Sequence, residues 1–292
     1  MRPADTGAIV PAPLPSAGVD VNRQGMLALI LGAVLAACTA QAVAEPLALI
    51  QAHAHNDYAH ARPLLDALSH GFCSLEADIY LVDGQLMVAH DLDDVRPDRT
   101  LEALYLDPLR ERVARNGGRV YPNGPECTLL IDVKSNAAST YAVLRGVLER
   151  YAEMFTVFRG ERVERGAITA IVSGERAPWL MAAEPVRYAA LDGTLADLSA
   201  NASADLVPWI SADWKKTFTW DGASSAMPEE QQRLLRQIVS KAHEQGRRVR
   251  FWGTPDTPAF WKVLWDAGVD LINTDDLAGL EGFLRDRSPT VR

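Results

Sequence analysis

Short apolar runs alternate with amphipathic helical patterns along almost the whole chain from residue 45 onward. A buried strand needs only a few consecutive apolar residues, whereas a helix repeats its apolar side chains every three to four positions. The sequence predicts eight strands, at residues 48–54, 74–81, 128–134, 167–173, 187–191, 206–211, 248–252 and 269–273. Helices are predicted between them, at residues 61–70, 101–115, 138–153, 176–183, 228–246, 257–267 and 276–286. This alternation indicates an α/β fold, a single-domain (β/α)8 TIM barrel over residues 45–292.

Two segments depart from the simple alternation. After the second strand, Asp83-Gly84 separates two alternating runs, which is typical of a β-hairpin. This small hairpin ends at His90 and would bring that histidine over the barrel mouth. The loop at 212–227, rich in Trp, Thr, Ser and Lys, is either a substrate-binding wall or a plain surface insertion.

Polar pairs with two-residue spacing close three of the predicted strands. The pairs are His53 and His55, Glu76 and Asp78, and Asp132 and Lys134. Alternate side chains of a strand share one face, so both members of each pair point to the same side of the sheet. Parallel α/β folds carry their active sites at the carboxyl ends of the strands, and we expect the three pairs to converge there.

The charge of the chain excludes one large class of partners. Its formal net charge is -9 at pH 7, and no cluster of Lys and Arg occurs. A protein that binds nucleic acid needs a basic face, so nucleic acid is not expected as a partner. An anionic substrate remains compatible with this composition, because a bound divalent cation can supply local positive charge.

The sequence of residues 1–44 differs from that of the rest of the chain and is typical of a leader for export. The apolar run from Met26 to Ala37 is too short to span a bilayer but suits the core of a secretory signal. Two processing sites follow it: a lipobox-like sequence that would acylate Cys38, and a small-x-small cleavage site at 42–44. The protein is expected to be periplasmic or secreted, with membrane anchoring through Cys38 as one form. The alternative is a disordered tail with a short apolar helix.

Six residues taken in chain order resemble the signature of a phosphodiesterase superfamily. This superfamily joins glycerophosphodiester phosphodiesterases, phosphatidylinositol-specific phospholipases C and spider-type sphingomyelinases D. The six residues are His55, Glu76, Asp78, His90, Asp132 and Lys134. The segments 250–254 and 268–275 are also similar to the last two strands of the family. The string His-Ala-His-Asn-Asp-Tyr at 53–58 more closely resembles a subgroup named after a yeast mitochondrial-inheritance protein.

The resemblance implies a role for each of these side chains. The carboxylates of Glu76, Asp78 and Asp132 would hold one divalent cation, either Mg²⁺ or Ca²⁺, since both prefer oxygen ligands. His55 and His90 would act as general acid and base, because imidazole titrates near neutral pH.

Three further residues are predicted to contact the substrate. Lys134 would hold a phosphate oxygen, and Asn56 would donate a further hydrogen bond. Trp252 either lines the pocket or belongs to the core.

The implied activity is the hydrolysis of a phosphoric diester of the glycerophosphodiester or phospholipid type. The nucleophile is either water or a neighbouring substrate hydroxyl, which would give a cyclic phosphate. Two features depart from the glycerophosphodiesterase pattern: Asn56-Asp57 stands where that family has Arg-Gly, and its Glu-Asn-Thr motif is absent. The partner is a small-molecule or lipid phosphodiester, a membrane is contacted only through a lipid anchor or lipid substrate, and the protein is expected to be a monomer.

Two cysteines remain after Cys38. Cys73 lies five residues before Asp78, and Cys127 lies five residues before Asp132. If the two carboxylates lie level on neighbouring parallel strands, the cysteines also lie level, on the opposite face and within disulfide reach. They form either a structural disulfide or two unpaired thiols beneath the helices.

Two other functions compete with the phosphodiesterase. His53-x-His55 after a first barrel strand is also the opening motif of metal-dependent amidohydrolases, but no histidine occurs between His90 and His243 to complete such a zinc site. A non-catalytic exported binding module is the second alternative.

Overall fold

The computed structural model describes residue 12 and residues 45–200, 202–223 and 226–287. The described residues from Glu45 onward form one compact unit. The predicted leader over residues 1–44, with Cys38, lies outside the described residues except for residue 12. Among the residues that the structure describes, no helix is long and apolar enough to cross a membrane.

Twelve strands are found in the described chain, and eight of them form a closed parallel barrel. In chain order the strands are β1 (Leu49–Ala54), β2 (Phe72–Val82), β3 (Gln85–Val88), β4 (Cys127–Val133), β5 (Val157–Arg159), β6 (Arg162–Glu164), β7 (Ile168–Gly174), β8 (Val186–Arg187), β9 (Ala190–Gly193), β10 (Trp209–Asp213), β11 (Arg248–Trp252) and β12 (Leu271–Thr274). The barrel order is β1, β12, β11, β10, β9, β7, β4 and β2, and β2 pairs with β1 to close it. The predicted (β/α)8 barrel is confirmed.

Helices follow the strands and cover the outside of the barrel. They span Leu65–Ser69, Asp107–Arg115, Ala137–Glu149, Pro178–Ala183, Trp214–Thr217, Glu229–Glu244, Pro258–Asp266 and Leu277–Arg285. A π-helical turn at Glu102–Leu106 leads into the helix Asp107–Arg115, and 3-10 turns occur at Asp57–Ala59, Leu92–Asp94 and Leu195–Ser199.

Many predicted elements have different bounds in the structure, and three of these differences are informative. The helix predicted at 61–70 contains only Leu65–Ser69, because Leu64 has a φ of 66° and cannot continue a right-handed helix. The strand predicted at 206–211 begins only at Trp209, since Pro208 has no N–H to donate to a neighbouring strand. The strand predicted at 187–191 is two elements: β8, which pairs with β5 outside the barrel, and the barrel strand β9.

The predicted hairpin is confirmed. β3 runs antiparallel to β2, and Asp83 and Gly84 form the turn between them with φ values of 48° and 79°. Positive φ at both central residues matches the right-handed twist of the two strands, and Asp-Gly is a preferred pair for it. The chain then leads from β3 directly to His90.

The interior of the barrel changes from apolar to polar toward the carboxyl ends of its strands. An apolar layer seals its lower part and consists of Leu130, Phe158, Ile171, Ala190, Trp209 and Leu271. Because side chains alternate along a strand, the residues two positions further on face the same interior. On five of the barrel strands these are Asp132, Ser173, Asp192, Ser211 and Asn273. The polar layer therefore lies at the mouth, where the sequence predicted the site.

The aromatic residues of the loop at 212–227 do not form a substrate-binding wall. Trp214, Phe218 and Trp220 are all buried, with at most 8% of the side chain exposed. Trp214 packs against Phe251 and Phe260, with ring centroids 5.4 and 4.7 Å apart. These aromatic side chains belong to the core between the barrel and its helices.

Candidate active site

Three carboxylates meet at the mouth of the barrel. Glu76 and Asp78 lie on β2, and Asp132 lies opposite Asp78 on the neighbouring strand β4. One oxygen from each of the three lies within 4.8 Å of the others. Glu76 and Asp78 are almost fully buried, at 4% and 1% exposure. The structure therefore brings together the three predicted metal ligands.

Two oxygens of this group have no protein partner among the described residues. They are Oδ1 of Asp78 and Oδ1 of Asp132, and both are buried. Burial and the nearby negative charges of Asp78 and Glu76 together raise the pKa of Asp132 to about 6. The positive charge of Lys134 opposes this rise only in part. Burial and the charge of Glu76 also raise the pKa of Asp78. Free oxygens on crowded buried carboxylates are the donor set that a hard divalent cation needs.

Lys134 already lies against two of these carboxylates. Its Nζ is 3.1 Å from Oδ2 of Asp78 and 3.1 Å from Oδ2 of Asp132. Burial alone would lower the pKa of Lys134, but the two carboxylates outweigh it and the pKa is raised. The lysine therefore stays protonated and places a fixed positive charge beside the carboxylate cluster.

Glu76 is held from below by a buried network that the sequence did not reveal. Arg250 Nη1 lies 3.1 Å from Glu76 Oε2, 2.7 Å from His53 Nε2 and 3.3 Å from Asn273 Oδ1. His53 is fully buried, and burial together with Arg250 lowers its pKa to about 4. The Arg250 and His53 contacts outweigh the burial of Glu76 and hold its pKa well below the usual range. Glu76 is therefore ionised and fixed in orientation, and His53 supports it instead of facing the cavity.

His55 is oriented by a carboxylate from the last barrel strand. Its Nδ1 lies 2.8 Å from Oδ1 of Asp275, and the Asn56 Nδ2 amide donates to the same oxygen at 3.2 Å. Burial would lower the pKa of His55, but the hydrogen bond with Asp275 outweighs it and the pKa is raised. Because Nδ1–H donates to Asp275, the other ring nitrogen, Nε2, is left for a ligand. Asn56 makes the turn after β1 with a φ of 48°, a region that asparagine tolerates.

His90 is held over the carboxylates by Asp78 and Tyr58. Its Nδ1 is 2.9 Å from Asp78 Oδ2 and 3.0 Å from the Tyr58 hydroxyl. That hydroxyl donates to Asn56 Oδ1 at 2.6 Å, and the Tyr58 and His90 rings stack with an interplanar angle of 11°. More than half of the His90 side chain is exposed. The two histidines are therefore linked through Asn56 and Tyr58.

All eight residues predicted for catalysis, metal binding or substrate binding line one cavity of about 370 Å³. Trp252 is among them and is 38% exposed, so it belongs to the cavity wall instead of the core. Gly174 forms part of the same wall with a φ of 66°, and a Cβ there would collide with Asp132 Oδ1.

Four other groups of the site were not predicted as site residues from the sequence. They are Tyr58, Arg250, Asn273 and Asp275. The two-residue spacing that identified the predicted pairs continues along β11 and beyond β12, so the same alternation could have pointed to Arg250 with Trp252, and to Asn273 with Asp275.

Asp57 has a structural role. It is buried, and its Oδ2 accepts hydrogen bonds from the Leu64 backbone N–H and the Tyr105 hydroxyl at 2.5 and 2.8 Å. It lies outside the group of three carboxylates. Its contacts therefore hold the turn between β1 and the helix Leu65–Ser69, away from the carboxylate group.

Of the two alternatives for the cysteines, the structure shows two unpaired thiols. Cys73 and Cys127 are both buried, free thiols. They precede the register pair Ser74 and Thr128 by one residue each, as expected, and the Cys73 thiol donates to the Gly71 carbonyl at 3.8 Å.

This (β/α)8 barrel gathers carboxylates, histidines and a lysine at the carboxyl ends of its strands. Enzymes with this fold carry their active sites at that end of the barrel. Residues 41–190 match the AIM6-like phosphodiesterase domain, and residues 248–278 match the glycerophosphoryl diester phosphodiesterase family. The chain belongs to the family of AIM6-like phosphodiesterase domains.

Several known proteins are similar over most of this chain. Altered inheritance of mitochondria protein 6 of Eremothecium gossypii is 29% identical over 270 residues, which cover 80% of this chain and 69% of that protein. The homologue from Arthroderma benhamiae is 28% identical over 263 residues, with 80% and 83% covered. Among solved structures, a glycerophosphodiester phosphodiesterase from Agrobacterium tumefaciens has 16% identity and a TM-score of 0.48 over 82% of this chain and 99% of its own.

Proposed function

We propose that this protein is a metal-dependent phosphoric diester hydrolase. The observation that carries the proposal is the buried group Glu76, Asp78 and Asp132, in which two carboxylate oxygens have no protein partner among the described residues. A single Mg²⁺ or Ca²⁺ bound there would neutralise the negative charge of the phosphodiester.

Two side chains of the protein would bind the phosphate group of the substrate. Lys134, protonated beside Asp78 and Asp132, holds a non-bridging phosphate oxygen as a point charge. Asn56 already supports His55 and Tyr58, and it reaches the same cavity wall as a hydrogen-bond donor.

The two histidines act as general base and general acid. Asp275 fixes His55 with Nδ1 protonated, so its free Nε2 removes the proton from the nucleophile. Asp78 orients His90 in the same way, through a hydrogen bond with Nδ1. Nε2–H of His90 then delivers a proton to the departing alcohol. The nucleophile is water in a hydrolytic course, or a neighbouring substrate hydroxyl in a course that gives a cyclic phosphate.

The substrate class is a glycerophosphodiester or a phospholipid-type phosphodiester. This rests on the match of residues 41–190 to a phosphodiesterase domain and on a cavity of about 370 Å³, which accommodates a small phosphodiester. An amidohydrolase-type zinc site is not favoured, because the candidate ligand group found among the described residues consists only of carboxylates.

We also propose that the protein is exported as a monomer and that nucleic acid is not a partner. The support is the leader-like sequence at 1–44 and the net charge of -9. Labelling cells with a radioactive fatty acid tests the anchored form, since label should be lost in Cys38→Ser if Cys38 is acylated.

The activity is tested with a panel of glycerophosphodiesters, phosphatidylinositol, sphingomyelin and lysolipids, assayed with Mg²⁺ or Ca²⁺ and with EDTA. EDTA and His55→Ala are both expected to reduce turnover by at least about a hundredfold. His60→Ala is the matched control, because His60 is a partly exposed histidine of the same turn and does not line the cavity. Turnover that survives both EDTA and His55→Ala would refute the mechanism.

A further inference from the structure

Tyr58 contacts one of the two histidines of the site but does not itself line the cavity. Its hydroxyl oxygen is 3.0 Å from His90 Nδ1, and its proton is donated to Asn56 Oδ1 at 2.6 Å. The amide of Asn56 donates in turn to Asp275 Oδ1, which also bonds His55 Nδ1. A continuous series of hydrogen bonds therefore runs from His90 to His55.

We infer that Tyr58 is a positioning residue, whose hydroxyl fixes the imidazole of His90 in the orientation that delivers a proton to the departing alcohol. This inference rests on the proposed function and adds a residue that acts on the reaction only through His90. Tyr58 is 7% exposed and is not part of the cavity wall, so it does not contact the substrate itself.

The direction of each hydrogen bond around His90 follows from the groups present. A carboxylate oxygen only accepts, so the proton on His90 Nδ1 faces Asp78 Oδ2 at 2.9 Å. The Tyr58 hydroxyl gives its single proton to Asn56 Oδ1, so its oxygen accepts from the same Nδ1–H. Because Nδ1 is engaged by two acceptors, Nε2 is the ring nitrogen left for the departing alcohol.

His90 needs a second support because it is exposed and lies at the end of a short strand. More than half of its side chain is exposed, and only Ala89 separates it from β3. The hydrogen bond with Asp78 fixes Nδ1 but leaves the ring free to turn about that contact. Tyr58 supplies a second contact and a ring that is nearly parallel, with an interplanar angle of 11°. An imidazole ordered in advance does not lose this rotational freedom during the reaction.

Tyr58 is itself held firmly by its own part of the chain. Its backbone carbonyl accepts a hydrogen bond from Arg99 Nη2 at 2.5 Å. The neighbouring carboxylate of Asp57 is buried and accepts from the Leu64 N–H and the Tyr105 hydroxyl. A residue that positions another must have a fixed place of its own, and these contacts give Tyr58 that place.

The test separates a hydroxyl that positions the acid from one that only stabilises the fold. Tyr58→Phe, which keeps the ring, is assayed on the diester of the panel that is turned over fastest. It is also assayed on the analogue of that diester in which the departing alcohol is p-nitrophenol. An alkyl alcohol needs a proton to depart, whereas p-nitrophenolate departs without one. We expect kcat to fall at least about tenfold on the first substrate and less than about twofold on the second, with KM almost unchanged on both.

A double variant shows whether Tyr58 acts through His90. His90→Ala should show the same dependence on the departing group, with a larger loss of kcat. Because both changes disable one interaction, the double variant should be no slower than His90→Ala alone.

Tyr188→Phe is the matched control. Tyr188 is also 7% exposed, and its hydroxyl donates to Glu149 Oε1 at 3.0 Å, away from the cavity. This variant should keep the wild-type kcat on both substrates. Thermal unfolding shows whether each variant is folded.

Three kinetic results would overturn the inference. They are an equal loss of kcat on both substrates, a loss in the double variant that equals the product of the two single losses, and full activity of Tyr58→Phe on the diester. Crystal structures of the metal-free wild type and Tyr58→Phe give a readout that does not depend on activity. The His90 ring should have one orientation in the wild type and more than one in the variant, and a single unchanged orientation in the variant would also overturn the inference.

The two proposals fail in different ways. If the wild type cleaves no diester of the panel but the His90 ring loses its single orientation in Tyr58→Phe, the proposed activity falls and the positioning of the ring stands. If diesters are cleaved with metal but Tyr58→Phe shows no dependence on the departing group, the activity stands and the role of Tyr58 falls.

Discussion

Arg250 should be one of the residues on which both the stability of the barrel mouth and the carboxylate site depend most strongly. Its guanidinium is 4% exposed, and Nη1 lies 3.1 Å from a Glu76 oxygen. At an effective dielectric constant of about 20, two unit charges at this separation attract by about 5 kcal/mol, before the cost of their burial is subtracted. Removal of one partner leaves the other charge buried without compensation, which costs about 3–5 kcal/mol.

We therefore predict strong coupling between Arg250→Met and Glu76→Gln. Each single variant should lose about 3–5 kcal/mol of the free energy of unfolding, whereas the double variant should lose less than the sum by about 2 kcal/mol, because no unpaired charge remains. Urea unfolding at pH 7 with EDTA measures all four proteins without any contribution from bound metal.

Arg248→Met supplies the control for this cycle. Arg248 lies two residues earlier on the same strand and donates to the Ile50 carbonyl at 3.1 Å, away from Glu76. Its effect should add to that of Glu76→Gln within about 0.5 kcal/mol. If Arg250→Met and Glu76→Gln are equally additive, the ion pair does not support the site and the reasoning is wrong.

Two further predictions concern pH. Burial raises the pKa of Asp57 to about 6, so the native state retains a proton that the unfolded state releases near pH 4. As the pH rises from about 4 to about 6, the free energy of unfolding of the wild type should therefore fall by about 3 kcal/mol relative to that of Asp57→Asn. Urea unfolding at several pH values measures this difference, and a constant difference would contradict the prediction. The hydrogen bond with Asp275 opposes the effect of burial and raises the pKa of His55. Because Asp275→Asn removes this negative charge, it should move the acidic limb of the pH profile of kcat/KM to lower pH. An unchanged limb would show that His55 is not the base.

The fold followed from the sequence because local patterns specify it. Each barrel strand needs only a short apolar run, and each covering helix needs only one apolar face, so both signals lie within a few neighbouring residues. The Asp83-Gly84 turn was recognisable for the same reason, since two residues with positive φ define it. The errors lay where a local pattern ended ambiguously, at Leu64 and Pro208.

The predicted site residues could be identified because the spacing of two positions fixes which side chains share a strand face. The sequence also placed Cys73 and Cys127 level, but it did not decide between a disulfide and two thiols, which depends on how the sulfur atoms face each other. The resemblance selected His55 over His53 as the catalytic histidine, but the sequence did not reveal that His53 is buried beneath Glu76, since both histidines have the same chemistry and the same strand face.

The sequence by itself determined the barrel, the strand ends that carry its polar pairs and the residue types available there. Only the tertiary structure decided that Arg250 and His53 hold Glu76 and that Asp275 orients His55. It also left one Asp192 oxygen without a partner among the residues that the structure describes. The physical reason is barrel closure, which brings residues about 200 positions apart into hydrogen-bond contact, as the 197-residue separation of His53 and Arg250 shows. Pairings of this kind depend on strand register across the whole barrel, which no short stretch of sequence contains.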